Sequence, residues 1–376
     1  MRLLHTADWH LGRAFHGEDL LGAHAAFVDF VVAAARSAAV DGVLIAGDLY
    51  DRALPPVDAV RLADEALTRL AEVAPVVAIA GNHDSAARLG FGAELLASAG
   101  VHLRTDPRSA SAPVPLADGW VYPIPYLEPD LVREPLGIQE RSHAAAMSAA
   151  MELVRADAAR RAGPLVVMAH AFVAGGMPSE SERDLAVGGA ANVPAFAFDG
   201  ADYVALGHLH GPQVVGGGLG RYAGSPLALS FSEASQAKSV AVVEVTAGAL
   251  PLVELLPAPV PRPLANLRGT LDELLADPRL ANAETAWVQA TLTDPVRPAD
   301  AMERLRRRFA HTVALAFDPQ GAGALPGDSY QRLRGLDDDE LVQRFVSDTR
   351  GREADDDELT LLRDALTARR VAELAA

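Results

Sequence analysis

The chain has 376 residues, half of them hydrophobic, with a formal net charge of −17 and no cysteine. At about 150 residues per domain this length allows two or three domains, and the lack of cysteine excludes a disulfide scaffold, a thiolate metal site and a cysteine nucleophile. The acidic balance counts against nucleic-acid binding by bulk attraction, since phosphate neutralisation drives non-specific affinity; a nucleic-acid enzyme of this charge needs metal ions, a local basic patch or a partner protein.

The opening MRLLHTADWH has no apolar signal-peptide core, and no apolar run reaches the roughly 18 residues of a membrane span, so a soluble cytoplasmic protein is expected. Arg2–Thr6 reads as a strand and Leu20–Ala39 as an amphipathic helix. Gly42–Ala46 is an apolar run ending in Gly-Asp, Pro56–Val73 is helical, and Val76–Ala80 ends in Gly-Asn-His-Asp. Leu165–Ala169 runs into His170, and Ala201–Leu206 runs into Gly-His-Leu-His. Strands separated by helices predict an α/β arrangement around a buried sheet. Each apolar run stops at a polar cluster, and ligands of open α/β sheets gather at the carboxyl ends of strands.

The Pro-rich stretch Pro257–Pro263 reads as a linker. Beyond it, Leu267–Leu274, Ala286–Leu292 and Thr312–Phe317 read as strands and Pro298–Phe309 as a helix, enough for a small α+β domain. After the Gly/Pro-containing segment Gly321–Gly327, two acidic amphipathic helices are expected at Asp337–Val346 and Asp356–Leu374, each opened by aspartates that suit a helix N-terminus.

Five clusters carry the chemistry: Asp8-Trp9-His10, Gly47-Asp48-Leu49-Tyr50-Asp51, Gly81-Asn82-His83-Asp84, His170, and Gly207-His208-Leu209-His210. An Asp and a His one residue apart at a strand end can reach one ion. A carboxylate such as Asp48 can bridge two cations with its two oxygens, Asn82 offers a carbonyl oxygen, and His208 and His210 can point into one pocket from a turn. The glycines at 47, 81 and 207 allow sharp turns. Taken singly, each cluster has an ordinary explanation as a turn or a core histidine. Together, in order and each at a strand end, they predict two cations about 3.5–4 Å apart that bind a phosphoester and activate a water. Oxygen and imidazole donors without sulfur suit Mn²⁺, Fe²⁺ or Zn²⁺ better than Ca²⁺. The other histidines (His5, His16, His24, His102, His143, His311) read as structural or solvated.

The pattern D-x-H, G-D-x-x-D, G-N-H-[DE], lone H and G-H-x-H resembles the calcineurin-like metallophosphoesterase family. Within it, L-L-H-T-A-D-W-H-L-G-R and the Tyr222-Ala223-Gly224-Ser225-Pro226 turn resemble a bacterial family of DNA-repair nuclease subunits related to the archaeal and eukaryotic break-repair nuclease. The resemblance covers almost the whole chain. It implies a two-sheet βαβ sandwich flanked by helices over residues 1–256, a small α+β capping, DNA-binding domain over 257–320, and a helical tail over 328–376 that docks on the family's ATPase partner.

The resemblance also implies a homodimer, two divalent ions of which Mn²⁺ is expected, and ATP-dependent cleavage of DNA: exonucleolytic on duplex ends, endonucleolytic on single strands and at hairpins. Carried onto this chain, Asp8, His10 and His210 hold one metal, Asn82, His170 and His208 the second, and Asp48 bridges. His83 matches the catalytic histidine, placed to stabilise developing charge or protonate the leaving oxygen. Asp51 would orient it by a hydrogen bond; the archaeal relatives carry a histidine there, so this chain departs from them. Arg13, Arg52 and Arg88 adjoin the motifs as candidate phosphate contacts, and Trp9 is expected to pack beneath the site. A small-molecule phosphodiesterase or phosphatase of the same superfamily is the alternative, since it fits the metal site and the charge while leaving the later segments unexplained.

Overall fold

The computed structural model of the chain describes residues 1–182, 192–319, 338–350 and 352–374. It divides into two compact units, Met1–Leu264 and Ala265–Ala376.

Among the described residues the first unit holds two six-stranded sheets. One runs in the order Leu252–Pro257, Ser239–Glu244, Arg2–Thr6, Gly42–Ile45, Val76–Ile79, Val101–Arg104, parallel from Arg2–Thr6 outward and closed by two antiparallel strands. The other runs Gln213–Val215, Gly220–Tyr222, Tyr203–Gly207, Leu165–His170, Gly119–Ile124, Val114–Leu116, with a parallel centre and an antiparallel strand at each edge.

The strands alternate between two apolar layers, because successive side chains leave a strand on opposite faces. Leu3, Leu44, Val77 and Ile79 of the first sheet meet Val121, Val166, Met168 and Ala205 of the second in a shared core between the sheets. Their neighbours Leu4, Val43, Ile45 and Val76 face the other way, against Phe27, Val31 and Ala35 of helix Leu21–Ser37 and Leu62, Ala66 and Leu70 of helix Val57–Ala71. On the second sheet Val167, Ala169 and Leu206 pack on Met147, Ala150, Met151 and Val154 of helix His143–Ala158. Both faces of each sheet are therefore dry, which is why the central strands read as unbroken apolar runs. His5 crosses the inter-sheet layer, its Nδ1 2.8 Å from the Tyr203 hydroxyl, both residues fully buried. The expected α/β two-sheet sandwich flanked by helices is the observed architecture.

In the second unit Leu264–Gly269, Trp287–Leu292 and Thr312–Phe317 form a three-stranded sheet in that order. Leu267, Leu271, Leu274, Val288, Ala290, Leu305 and Phe309 supply its core. The strand expected over Leu267–Leu274 is wrong in its second half: the strand ends at Gly269 and helix Leu271–Ala276 begins. The cause is a capping box, in which Glu273 N–H donates to the Thr270 hydroxyl at 3.4 Å and the Glu273 carboxylate accepts from Thr270 N–H at 2.8 Å. The helix expected from Pro298 starts only at Ala301, because Asp300 sits in the left-handed region at φ 51°. Helices Asp338–Arg350 and Asp356–Leu374 follow, joined where Arg350 and Arg352 meet Glu358 at 2.6 and 3.0 Å. The segment 321–327 and Asp337 lie outside the described residues. No helix among the described residues is long and apolar enough to cross a membrane.

Candidate metal centre

Strands of both sheets deliver the polar clusters to one place. Asp8 and His10 follow Arg2–Thr6, Asp48 follows Gly42–Ile45, and Asn82 and His83 follow Val76–Ile79. From the second sheet, His170 ends Leu165–His170, while His208 and His210 follow Tyr203–Gly207. The loops are held in costly conformations: Asp8, His10, Asp48 and His208 have φ of 55°, 46°, 50° and 105°.

Local hydrogen bonds hold them there. Asp8 N–H donates to the Gly47 carbonyl at 3.0 Å and His10 N–H to the Asp48 carbonyl at 3.0 Å. His208 N–H donates to both Asp8 oxygens, at 2.9 and 3.1 Å, tying the first sheet to the second. Asp84 accepts from Gly81, Tyr50 and Leu49 N–H at 2.9, 2.9 and 3.2 Å, which locks the Asp48 loop to the Asn82 loop. The approach is closest at Gly207, where an added Cβ would lie 1.9 Å from the Ala46 carbonyl oxygen. At Gly47, φ is +93° and a Cβ would lie 2.3 Å from His170 Nδ1.

The side chains form two sets around Asp48. Donor atoms of Asp8, His10 and His210 lie within 4.8 Å of one another, and His10 Nε2 is 3.0 Å from His210 Nε2. In the second set Asn82 Oδ1 is 2.8 Å from His170 Nε2 and 3.2 Å from His208 Nδ1. Asp48 Oδ2 lies 3.7 Å from His10 Nε2 and 3.5 Å from His170 Nε2, so one oxygen faces both sets. Its Oδ1 is occupied differently, accepting from His83 N–H at 2.8 Å. That bond engages one lone pair of Oδ1 and leaves the other, while Oδ2 is the oxygen that faces both sets.

This arrangement fits cations. His170 Nδ1–H donates to the Ala46 carbonyl at 2.9 Å, so in a neutral ring Nε2 is a lone pair, and it faces the oxygen lone pairs of Asn82. Two acceptors hold such a distance only with a positive charge between or upon them. Burial pushes Asp48 up, but His170, His10 and His83 outweigh it and hold its carboxyl well below the usual range. Burial lowers His170, but Asp48 and Asp8 outweigh it and raise it to about 9, the proton standing where a cation would. Burial raises Asp8, reinforced by Asp48, and burial lowers His10 and takes His208 down to about 3. Imidazoles and an amide oxygen beside carboxylates, without sulfur, are a divalent-ion donor set.

His83 stands beside this set with its ring edge-on to His10, centroids 4.6 Å apart, and its Nε2 4.0 Å from Asp48 Oδ2. Its Nδ1–H donates at 2.7 Å to Asp51, but to the main-chain carbonyl and not to the carboxylate. The Asp51 carboxylate instead meets Arg13 at 3.5 Å and lies 3.8 Å from His10 Nδ1. Arg88 donates to the Ala53 carbonyl at 3.2 Å. Trp9 packs edge-on against Phe27 under the loop, its indole N–H bonded to Thr6 at 2.9 Å.

Sequence reasoning missed the residues behind His210. Ser181 lies 2.5 Å from its Nδ1, Glu182 accepts from its N–H at 2.7 Å, and buried Lys238 donates to its carbonyl at 2.8 Å. None belongs to a motif, and only the tertiary fold brings them together.

Two sheets delivering such a donor set from their strand ends define a metallophosphoesterase. The calcineurin-like phosphoesterase profile matches residues 1–212, and the chain belongs to that family. A second profile, the Type 5 capsule protein repressor C-terminal domain, matches residues 260–350. More narrowly, the chain is 35% identical over 291 residues to the SbcD subunit of the nuclease SbcCD from Escherichia coli K12 and from Escherichia coli O157:H7, covering 73% of this chain and 73% of each relative. A solved structure, TT1561 of Thermus thermophilus, matches 68% of this chain and 98% of its own at 14% identity and a TM-score of 0.41. The chain is a metal-dependent phosphodiester hydrolase, a nuclease of the SbcD type.

Proposed function

We propose that this nuclease cleaves DNA with two Mn²⁺ ions, one held by Asp8, His10 and His210 and the other by Asn82, His170 and His208, with Asp48 between them. The inward Asp48 oxygen between two imidazole sets carries this reading. The ions would supply charge neutralisation of the phosphodiester and a water acidic enough to attack it. The chain's own residues do the rest. Asp8 and Asp48 fix the loops through the His208 and His83 N–H groups. His83, its Nδ1–H held by the Asp51 carbonyl, turns Nε2 to the site and acts there on the developing charge or the leaving sugar oxygen.

The domain assignments follow the same reading: residues 1–256 carry the nuclease site, 257–320 form the family's capping-type, DNA-binding domain, and 328–376 dock on a SbcC-type ATPase. The relatives are named as one subunit of SbcCD, which supports the partner. A homodimer belongs to the same reading. The complex acts in the cytoplasm in repair and recombination, opening duplex ends, single strands and hairpins with ATP. The test is Mn²⁺-dependent degradation of linear duplex DNA beside hydrolysis of a nitrophenyl phosphodiester, with and without the ATPase. DNA cleavage is expected. Hydrolysis of the small ester with no DNA cleavage, even with the ATPase present, would replace this reading with a small-molecule phosphodiesterase.

A further inference from the structure

Behind His210 lies a closed chain of polar groups that no motif announces. Glu233 is fully buried and Lys238 nearly so. The Lys238 ammonium directs its three protons at four acceptors, Glu233 Oε2 at 2.5 Å, the His210 carbonyl at 2.8 Å, Gln236 Oε1 at 2.9 Å and Ser225 Oγ at 3.1 Å, so that one proton is shared. Glu233 Oε2 also accepts from Leu229 N–H at 3.2 Å. Its other oxygen accepts from the Ser181 hydroxyl; Ser179 Oγ lies 3.2 Å from that oxygen and 3.0 Å from Ser181 Oγ, but its one proton goes to Glu182 Oε2 at 2.7 Å. Ser181 Oγ in turn sits 2.5 Å from His210 Nδ1.

The direction of each proton follows from what each group can do. A carboxylate beside an ammonium only accepts, so the single hydroxyl proton of Ser181 goes to Glu233. The Ser181 oxygen then has only lone pairs left for His210, and the ring must supply the proton from Nδ1. That leaves Nε2 as a lone pair, and Nε2 is the nitrogen facing His10.

We propose that Ser181 and Glu233, polarised by Lys238, are positioning residues that hold His210 in its Nδ1–H tautomer and so present Nε2 to one of the two ions. The inference rests on the two-ion reading above. Partners behind a ligating imidazole fix its tautomer and orientation, and losing them weakens metal affinity about 10- to 100-fold.

Glu233→Gln tests the direction of the protons with little change of shape. Lys238 and Leu229 N–H both donate to Oε2, so the amide oxygen must take that place and its NH₂ must face Ser181. The serine hydroxyl then donates to His210 Nδ1, and the imidazole proton moves to Nε2. Ser181→Ala removes the relay outright, and Ser181→Thr keeps a hydroxyl there.

The experiment uses the full chain, with ¹⁵N shifts of the His210 ring read without metal and Mn²⁺ titrated by calorimetry. The unmodified chain is expected to show protonated Nδ1 and to bind two ions. E233Q should show protonated Nε2, and both E233Q and S181A should bind one of the two ions about 10- to 100-fold more weakly, with S181T restoring the affinity. Unchanged tautomer and unchanged affinity in E233Q and S181A would overturn the relay while leaving the two-ion reading in place. Loss of both ions in S181A with a lowered melting temperature, not restored by S181T, would overturn it in favour of a structural role. Failure of the unmodified chain to bind two ions would overturn both readings.

Discussion

His83 and Asp51 meet through one hydrogen bond, and the atom that accepts it decides what each substitution does. Because the acceptor is the Asp51 carbonyl, Asp51→Ala keeps it and loses only the carboxylate near Arg13 and His10. Activity on a nitrophenyl phosphodiester is expected to fall by less than about tenfold in D51A, against about 100-fold or more in His83→Ala with Mn²⁺ binding retained. Equal losses in the two variants would return the orienting role to the carboxylate. The residue types at this site were readable in the sequence because each proposed ligand sits in a short local pattern at a strand end. The atom assignments were not: whether Asp51 acts through side chain or main chain, and which Asp48 oxygen faces inward, depend on backbone path. Gly207 makes a sharper test of that path. A methyl group there meets a main-chain oxygen that cannot swing away, so Gly207→Ala should cost about 3 kcal/mol and weaken Mn²⁺ binding by displacing His208. Unaltered urea denaturation and Mn²⁺ titration in G207A would refute the tight approach.

At the scale of elements, the long apolar runs were legible because strands buried on both faces need no polar alternation. The strands Val114–Leu116, Gln213–Val215 and Gly220–Tyr222 have three residues each, too few to show a period; the first pairs with Gly119–Ile124 and the second with the third in short local hairpins. Leu267–Leu274 misled because one apolar run served a strand and a helix, divided by a cap. Helix Leu21–Ser37 carries a further consequence. Its His24 is buried on the core side, and burial lowers that imidazole from 6.5 to about 4. The folded state therefore holds His24 neutral while the unfolded chain takes a proton below 6.5. The associated stability is full above that pH and is lost as pH falls toward 4, amounting to about 3 kcal/mol at about 1.4 kcal/mol per unit. Urea denaturation of the metal-free chain between pH 7 and 4.5 should show this fall, and His24→Gln should reduce its slope. An identical slope in H24Q would show that other groups govern acid stability; His5, lowered to about 3 by its own burial, is the next to test.

For the whole molecule the net charge of −17 sets the question of how DNA is held at all. Two divalent ions offset only part of it, and phosphate contacts are what make nucleic-acid affinity steep in salt. The chain alone is therefore expected to bind duplex DNA weakly, with a shallow dependence of log affinity on log salt. With the ATPase present the slope should steepen, because the added phosphate contacts belong to the partner. The acidic helices Asp338–Arg350 and Asp356–Leu374 are the proposed link, and they leave Phe345 and Leu361 exposed as apolar handles. Deleting residues 337–376 should abolish co-purification with the ATPase and return the salt slope to that of the chain alone. Mn²⁺-dependent hydrolysis of the small ester should survive, since the proposed ligands all lie before residue 211. Fluorescence anisotropy across a salt series separates the alternatives. A steep slope for the isolated chain would place the DNA grip within this protein, and partner binding by the deleted chain would remove the tail from the docking role.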